Sequence, residues 1–220
     1  MPPLEETLAR VRERIADACA RSGRRTDEVR LVGVAKGVPA EVVAAAVRAG
    51  LEDIGENYVQ ELMDKRPAAP EARWHFVGRL QRNKVGRVVE LADVVHTLEP
   101  GRASDRLTEA VSGGADLQCL VEVDFTGNRV GVTPSGTEGF VANVVERGVL
   151  VRGLMTVPPQ GGDPRPWFEK LRELRDQVAG SFEQVRELSM GMSADLEAAV
   201  EEGATMVRVG TAIFGPRHEG

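Results

Sequence analysis

Val29-Arg30-Leu31-Val32-Gly33-Val34-Ala35-Lys36-Gly37-Val38-Pro39 reads as a buried strand, a turn and the opening of a helix. Pro39 sits where a first helical residue would. Val42, Val43, Ala46 and Val47 follow on one face, and Gly50 marks the stop. Outward from this unit the alternation repeats. Strands are predicted near Leu31–Ala35, Asp53–Asn57, Trp74–Gly78, Val94–Leu98, Leu117–Asp124, Leu150–Met155, Val185–Met190 and Met206–Gly210. Between them, Pro166 opens a segment with Phe168, Leu171, Leu174 and Val178 at helical spacing, closed by Gly180. Ser193 ahead of Ala194-Asp195-Leu196-Glu197 has the form of an N-cap followed by acidic residues. Leu4, Leu8, Val11, Ile15 and Ala18 form one stripe, which adds a helix before the first strand.

Strands that read as continuous apolar runs are covered on both faces, and eight of them alternating with helices point to a closed parallel barrel. The expected fold is therefore α/β, a single (β/α)8 TIM-type barrel with an extra N-terminal helix, spanning 1–220 as one domain. An open doubly wound sheet is the second choice. No stretch reads as a tether; Pro158-Pro159-Gln160-Gly161-Gly162-Asp163-Pro164 looks like one irregular loop. The net charge is −6, with both signs interspersed, which argues against nucleic acid or an anionic membrane as a partner. The two cysteines, Cys19 and Cys119, fit a reducing compartment, and the N-terminus lacks a secretory apolar segment, so the expected location is the cytoplasm. The three histidines and two cysteines lack ligand spacing, so no metal site is expected. Polar outer helix faces suggest a monomer.

A barrel places functional residues at the C-terminal ends of its strands. There stand Lys36, Asn57, Gly78, Thr97, Asp124, Thr156, the turn Met190-Gly191-Met192-Ser193 and the turn Gly210-Thr211. Apolar burial would disfavour the ammonium form of Lys36, and a neutral amine condenses with an aldehyde. Position alone equally allows a snorkelling surface lysine. The turns after the last two predicted strands present glycines, hydroxyls and helix starts suited to a phosphate, or to ordinary capping. Arg208 alternates with Val207 and Val209 and should point into the barrel. It would there oppose protonation of a heterocyclic nitrogen, or pair with a carboxylate such as Glu56 or Asp124. Asn57 could bond a ligand's phenolic oxygen or cap the next helix. His75, inside the third run, suits a core role or the orienting of a neighbour.

Several motifs together resemble one family. They are Val34-Ala35-Lys36, Gly55-Glu56-Asn57-Tyr58-Val59-Gln60-Glu61, the stretch from Trp74 to Lys84, Arg152-Gly153-Leu154-Met155, Leu188-Ser189-Met190-Gly191-Met192-Ser193-Ala194-Asp195 and the stretch from Val207 to Gly215. In this order they resemble the pyridoxal phosphate homeostasis proteins of the YggS/PROSC type, nearly end to end. The resemblance implies a barrel related to the N-terminal domain of alanine racemase, with pyridoxal 5′-phosphate (PLP) at its mouth. It implies a Schiff base on Lys36, with Ser193, Gly210 and Thr211 at the phosphate and Met192 beside them. Arg208 would face the pyridine nitrogen, and Asn57 would lie near the ring. The chain departs from the usual pattern at Gly37, where many members carry threonine, and at Ala35, where serine is common. The implied function is PLP homeostasis without robust turnover, with PLP-dependent apo-enzymes as possible partners. The alternative is a PLP enzyme such as an amino-acid racemase. A racemase needs a second acid/base group opposite the lysine, and the only tyrosine is Tyr58. A Schiff-base aldolase acting on a sugar phosphate is a third reading, which the lysine's place on the first strand opposes.

Overall fold

A computed structural model describes residues 3–111 and 114–216; the rest of the expected 1–220 span lies outside the described residues. Eight parallel strands close on themselves in sequence order. They are β1 (Arg30–Val34), β2 (Asp53–Glu56), β3 (Arg73–Phe76), β4 (Val94–Leu98), β5 (Gln118–Glu122), β6 (Leu150–Met155), β7 (Glu187–Ser189) and β8 (Met206–Val209). Closure is direct, because Val32 of β1 pairs with Arg208 of β8 on one side and Asp53 of β2 on the other. The open-sheet alternative is thereby overturned.

The helices are α1 (Leu4–Ser22), α2 (Ala40–Arg48), α3 (Val59–Lys65), α4 (Val85–Leu91), α5 (Arg102–Val111), α6 (Thr137–Glu146), α7 (Arg165–Ser181), α8 (Leu196–Glu201) and α9 (Thr211–Phe214). Each strand shows one row of side chains outward to them. Ile54, Trp74, Val95, Val151, Leu188 and Val207 join the helices in one continuous core. The inward row is different in kind. It holds a small apolar cluster of Val32, Leu120, Met155 and Met206, and beside it the buried polar residues Asp53, His75, His96, Ser189 and Arg208.

The stripe on α1 is buried as expected at Leu8, Val11, Ile15 and Ala18. This helix lies against α8 and α9: Arg14 pairs with Glu197 at 2.6 Å, and Thr7 Oγ1 donates to the Ile213 carbonyl at 2.9 Å. Two predicted boundaries move. Pro39 is the residue before α2 rather than its first, and its carbonyl accepts from Val42 and Val43. Gly180 lies inside α7, which runs to Ser181, because Phe182 N–H satisfies the Val178 carbonyl at 2.9 Å and no left-handed glycine is needed there.

Candidate functional site

The ladder of β1 ends at Val34, so Lys36 stands in the turn beyond the strand rather than at its last position. It is half-buried, and its Nζ lies 4.9 Å from the centre of the Tyr58 ring, a cation–π distance. The expected burial among apolar neighbours is thus replaced by half-burial with an aromatic face on one side.

Both neighbours of Lys36 are held by their backbone. Lys65 Nζ donates to the Ala35 carbonyl at 2.7 Å, and Gly37 N–H donates to Glu61 Oε2 at 2.7 Å. The same ammonium also donates to Glu56 at 2.7 Å and to Glu61 at 2.5 Å. Glu61 and Lys65 are four apart on α3, so one helical turn supplies both halves of the clamp. Burial pushes the Glu56 pKa up to about 7 in spite of Lys65, and its Oε2 has no hydrogen-bond partner among the described residues. Burial also opposes ionisation of Glu61, but Lys65 and the Gly37 N–H hold its pKa below the usual range. Gly37 takes φ +73°, a conformation open to glycine and strained for the threonine common in the resembling family.

Asn57 follows β2 directly. Tyr58, not Asn57, occupies the N-cap position of α3, and there is no side-chain cap hydrogen bond there, so the capping alternative does not hold. Gly78 packs on its backbone: a Cβ at Gly78 would meet the Asn57 carbonyl oxygen at 1.9 Å. Three other rim residues close loops. Thr97 Oγ1 donates to the Gly78 carbonyl at 2.6 Å, Thr156 Oγ1 donates to the Val123 carbonyl at 2.9 Å, and Asp124 accepts from Thr126 and Arg129.

Ser193 does not cap α8. That position belongs to Asp195, whose carboxylate turns back to accept from Met192 N–H, so the helix starts two residues later than the local pattern suggests. Ser193 Oγ instead accepts from Ala212 N–H at 3.3 Å, which ties the turn after β7 to the start of α9. The backbone of Gly210 comes so near β1 that a Cβ there would lie 3.1 Å from the Val34 carbonyl oxygen. Ser193, Gly210, Thr211 and the Lys36 turn are therefore brought to one end of the barrel. Met192 is exposed on the same rim.

Arg208 points inward and is 6% exposed. It pairs with neither Glu56 nor Asp124. It donates instead to Ser189 Oγ at 2.5 Å and to the Thr156 carbonyl at 3.0 Å, while Glu56 is taken by Lys65. Burial lowers its pKa to about 10, which leaves it cationic at neutral pH. Glu122, at the end of β5, was not singled out by sequence. Burial, with the nearby Glu99 carboxylate adding to it, pushes its pKa up to about 7, against the attraction of Arg129 and Arg208. Between its ordinary 4.5 and about 7 the folded state holds more protons than the unfolded one. Its contribution to stability is thus present at low pH and lost as pH rises through about 7. Glu122→Gln is expected to match the parent in melting temperature near pH 4.5 and exceed it increasingly toward pH 8, read by calorimetry across that range. A gap that closes with rising pH would contradict the assignment.

A cleft of about 950 Å³ opens at the opposite end of the barrel, but its arginines, Arg12, Arg24, Arg30 and Arg186, are interleaved with Asp27, Glu28, Glu52, Asp53 and Glu187. The mouth differs: an amine, a buried guanidinium and hydroxyl-bearing turns converge there. That donor set fits a ligand with an aldehyde, an aromatic nitrogen and a phosphate.

Residues 7–218 match the family described as alanine racemase, N-terminal domain. The chain is 41% identical to the pyridoxal phosphate homeostasis protein of Aquifex aeolicus, covering 96% of this chain and 97% of that protein. It is 37% identical to the protein of the same name from Escherichia coli K12, covering 99% and 98%. The solved structure of PipY from Synechococcus elongatus with PLP bound superposes with a TM-score of 0.84 at 30% identity, covering 97% of this chain and 100% of that one. An alanine racemase from Clostridium difficile shares the fold, with a TM-score of 0.77 at 14% identity; 99% of this chain covers 57% of that enzyme.

Proposed function

The chain belongs to the pyridoxal phosphate homeostasis protein family, and on that premise we propose that it binds PLP at the barrel mouth and takes part in keeping the intracellular PLP supply. The observation that carries the reading is the presentation of Lys36. Its flanking residues are clamped from beneath, and it shares the barrel end with Gly210 and with the Ser193 turn tied to Ala212. Bound there, PLP supplies an aldehyde carbon and a phosphate ester. Lys36 is the amine that would hold PLP covalently through that aldehyde, whose oxygen would leave as water. Ser193, Gly210 and Thr211 would hold the phosphate through hydroxyl and backbone N–H groups, with Met192 on the rim beside them. Arg208 would face the ring nitrogen as a fixed cation, and Asn57 would reach the phenolic oxygen.

The protein is a carrier rather than a racemase. A fixed cation at the ring nitrogen disfavours protonation there and so weakens the electron sink that carbanion chemistry requires. Tyr58, the chain's single tyrosine, lies against Lys36 itself and so cannot serve as the opposing base. The partners of such a carrier are PLP-dependent apo-enzymes that receive the cofactor. We place it in the cytoplasm as a monomer; its two free, buried thiols suit a reducing compartment. The test pairs the visible spectrum of PLP-loaded protein with assays for racemisation, transamination and decarboxylation. The expected result is a visible band with turnover far below about one per second. Turnover at or above that rate would overturn the carrier reading.

A further inference from the structure

Five buried polar groups cross the barrel interior in one unbroken line. Asp53 Oδ1 meets His75 Nε2 at 2.8 Å, and His75 Nδ1 meets His96 Nε2 at 2.8 Å. His96 Nδ1 meets Ser189 Oγ at 2.8 Å, and Ser189 Oγ accepts from Arg208 at 2.5 Å. The line starts at the first residue of β2, passes through β3, β4 and β7, and ends on β8. Both imidazoles and the serine are fully buried.

The chemistry of the two ends sets the direction of every link. An ionised carboxylate only accepts, so His75 carries its proton on Nε2 and its neutral Nδ1 accepts from His96. His96 therefore also carries its proton on Nε2, and its Nδ1 accepts the serine hydroxyl. The guanidinium only donates, so Ser189 Oγ receives from Arg208 on its remaining side. Each link then holds one proton, and every buried group is satisfied. An added proton on either imidazole is accommodated only if Ser189 Oγ accepts from both His96 and Arg208, which turns the serine hydroxyl out of the line. Burial lowers both histidine pKa values, His96 well below the ordinary value. The cations Arg30 and Arg73 act on both rings in the same sense, Arg208 acts so on His96, and Asp53 opposes the shift at His75.

We propose that Asp53, His75, His96 and Ser189 are positioning residues for Arg208, forming a directional donor relay that fixes which way its guanidinium faces the cofactor ring. The cofactor clause rests on the function proposed above; the relay itself does not. A buried polar line that served packing alone could end on any group. This one ends on Arg208, whose second anchor, the Thr156 carbonyl, lies on the mouth side of β6.

The relay is tested first without cofactor, by long-range proton–nitrogen correlation spectra of the imidazoles at neutral pH, assigned by substituting each histidine in turn. Both rings are expected neutral with the proton on Nε2; an Nδ1–H tautomer or an imidazolium at either ring overturns the relay. The positioning role is tested by His96→Leu and His96→Gln. Glutamine keeps one donor and one acceptor, and leucine keeps neither. His96→Leu is expected to weaken PLP binding about tenfold and move the bound-cofactor band, whereas His96→Gln stays within about threefold of the parent. Ser189→Ala removes the last link with less volume change and is expected to move the band in the same direction, which covers the case of a leucine variant that does not fold. Parent-like affinity and band in the variants that break the line would overturn the positioning role. A parent protein that binds no PLP would refute the proposed function and the cofactor clause with it, and the tautomers would still decide the relay.

Discussion

Gly78→Ala is expected to lower the melting temperature by about 6–12 °C, from about 3 kcal/mol of overpacking, and to weaken PLP binding at the same time. The added Cβ would lie 1.9 Å from the Asn57 carbonyl oxygen and 2.7 Å from its carbonyl carbon. These are backbone atoms, so no rotamer change relieves the contact. Gly78 cannot retreat freely either, because its own carbonyl is held by Thr97 at 2.6 Å. The relief must come from the loop that carries Asn57 and Tyr58, and Tyr58 is the face against which Lys36 rests. Thermal unfolding and equilibrium PLP titration of the same variant check both halves. An alanine that leaves stability and affinity unchanged would show that the two loops do not touch as described.

Lys65→Met is expected to destabilise by about 3–5 kcal/mol at pH 8, the cost of leaving a buried charge without its partner. It strands the Glu56 and Glu61 carboxylates and the Ala35 carbonyl together. The loss should shrink on acidification. The folded-state pKa of Glu56 is already raised from 4.5 to about 7, so its contribution is full below 4.5 and lost as pH rises through about 7. Without the Lys65 ammonium that upper limit moves higher still, which widens the window in which a proton on Glu56 offsets the missing cation. Denaturant unfolding of parent and variant at pH 5 and pH 8 checks this. A deficit of equal size at both pH values would mean that Glu56 does not titrate in the clamp. Adding Glu56→Gln should recover part of the pH 8 loss, since it removes one stranded charge.

The strands were legible because they are largely buried on both faces, so that apolar residues recur through them even where the inward row is polar, as at Asp53, His75, His96, Ser189 and Arg208. The helix stop at Gly50 was legible for a local reason, and the structure gives it φ +89°. Local signals misled where a tertiary contact outbid them. Ser193 has the form of a cap, but Asp195 turns back onto Met192 and takes the capping position, while the serine reaches across to α9. The alternatives for Arg208 named carboxylates, whereas the group it meets, Ser189, is a neighbour only once β7 and β8 lie side by side. The spacing of Glu61 and Lys65 allows their pairing, but the reach of Lys65 to Glu56 and Ala35 and the approach of Gly78 to Asn57 depend on contacts between segments that no spacing in the chain announces. The place of His75 in the third run suits a core role or the orienting of a neighbour; it is fully buried, and the ring it meets, His96, comes from the next strand.

The most direct test of the account is borohydride reduction of the PLP-loaded protein followed by peptide mapping. The expected result is a cofactor-sized mass on the peptide bearing Lys36, lost in Lys36→Ala. The chain's other lysines are Lys65, Lys84 and Lys170. Label on any of them in place of Lys36, or no label in a protein that has bound PLP, would contradict the assignment of Lys36 as the amine that holds the cofactor.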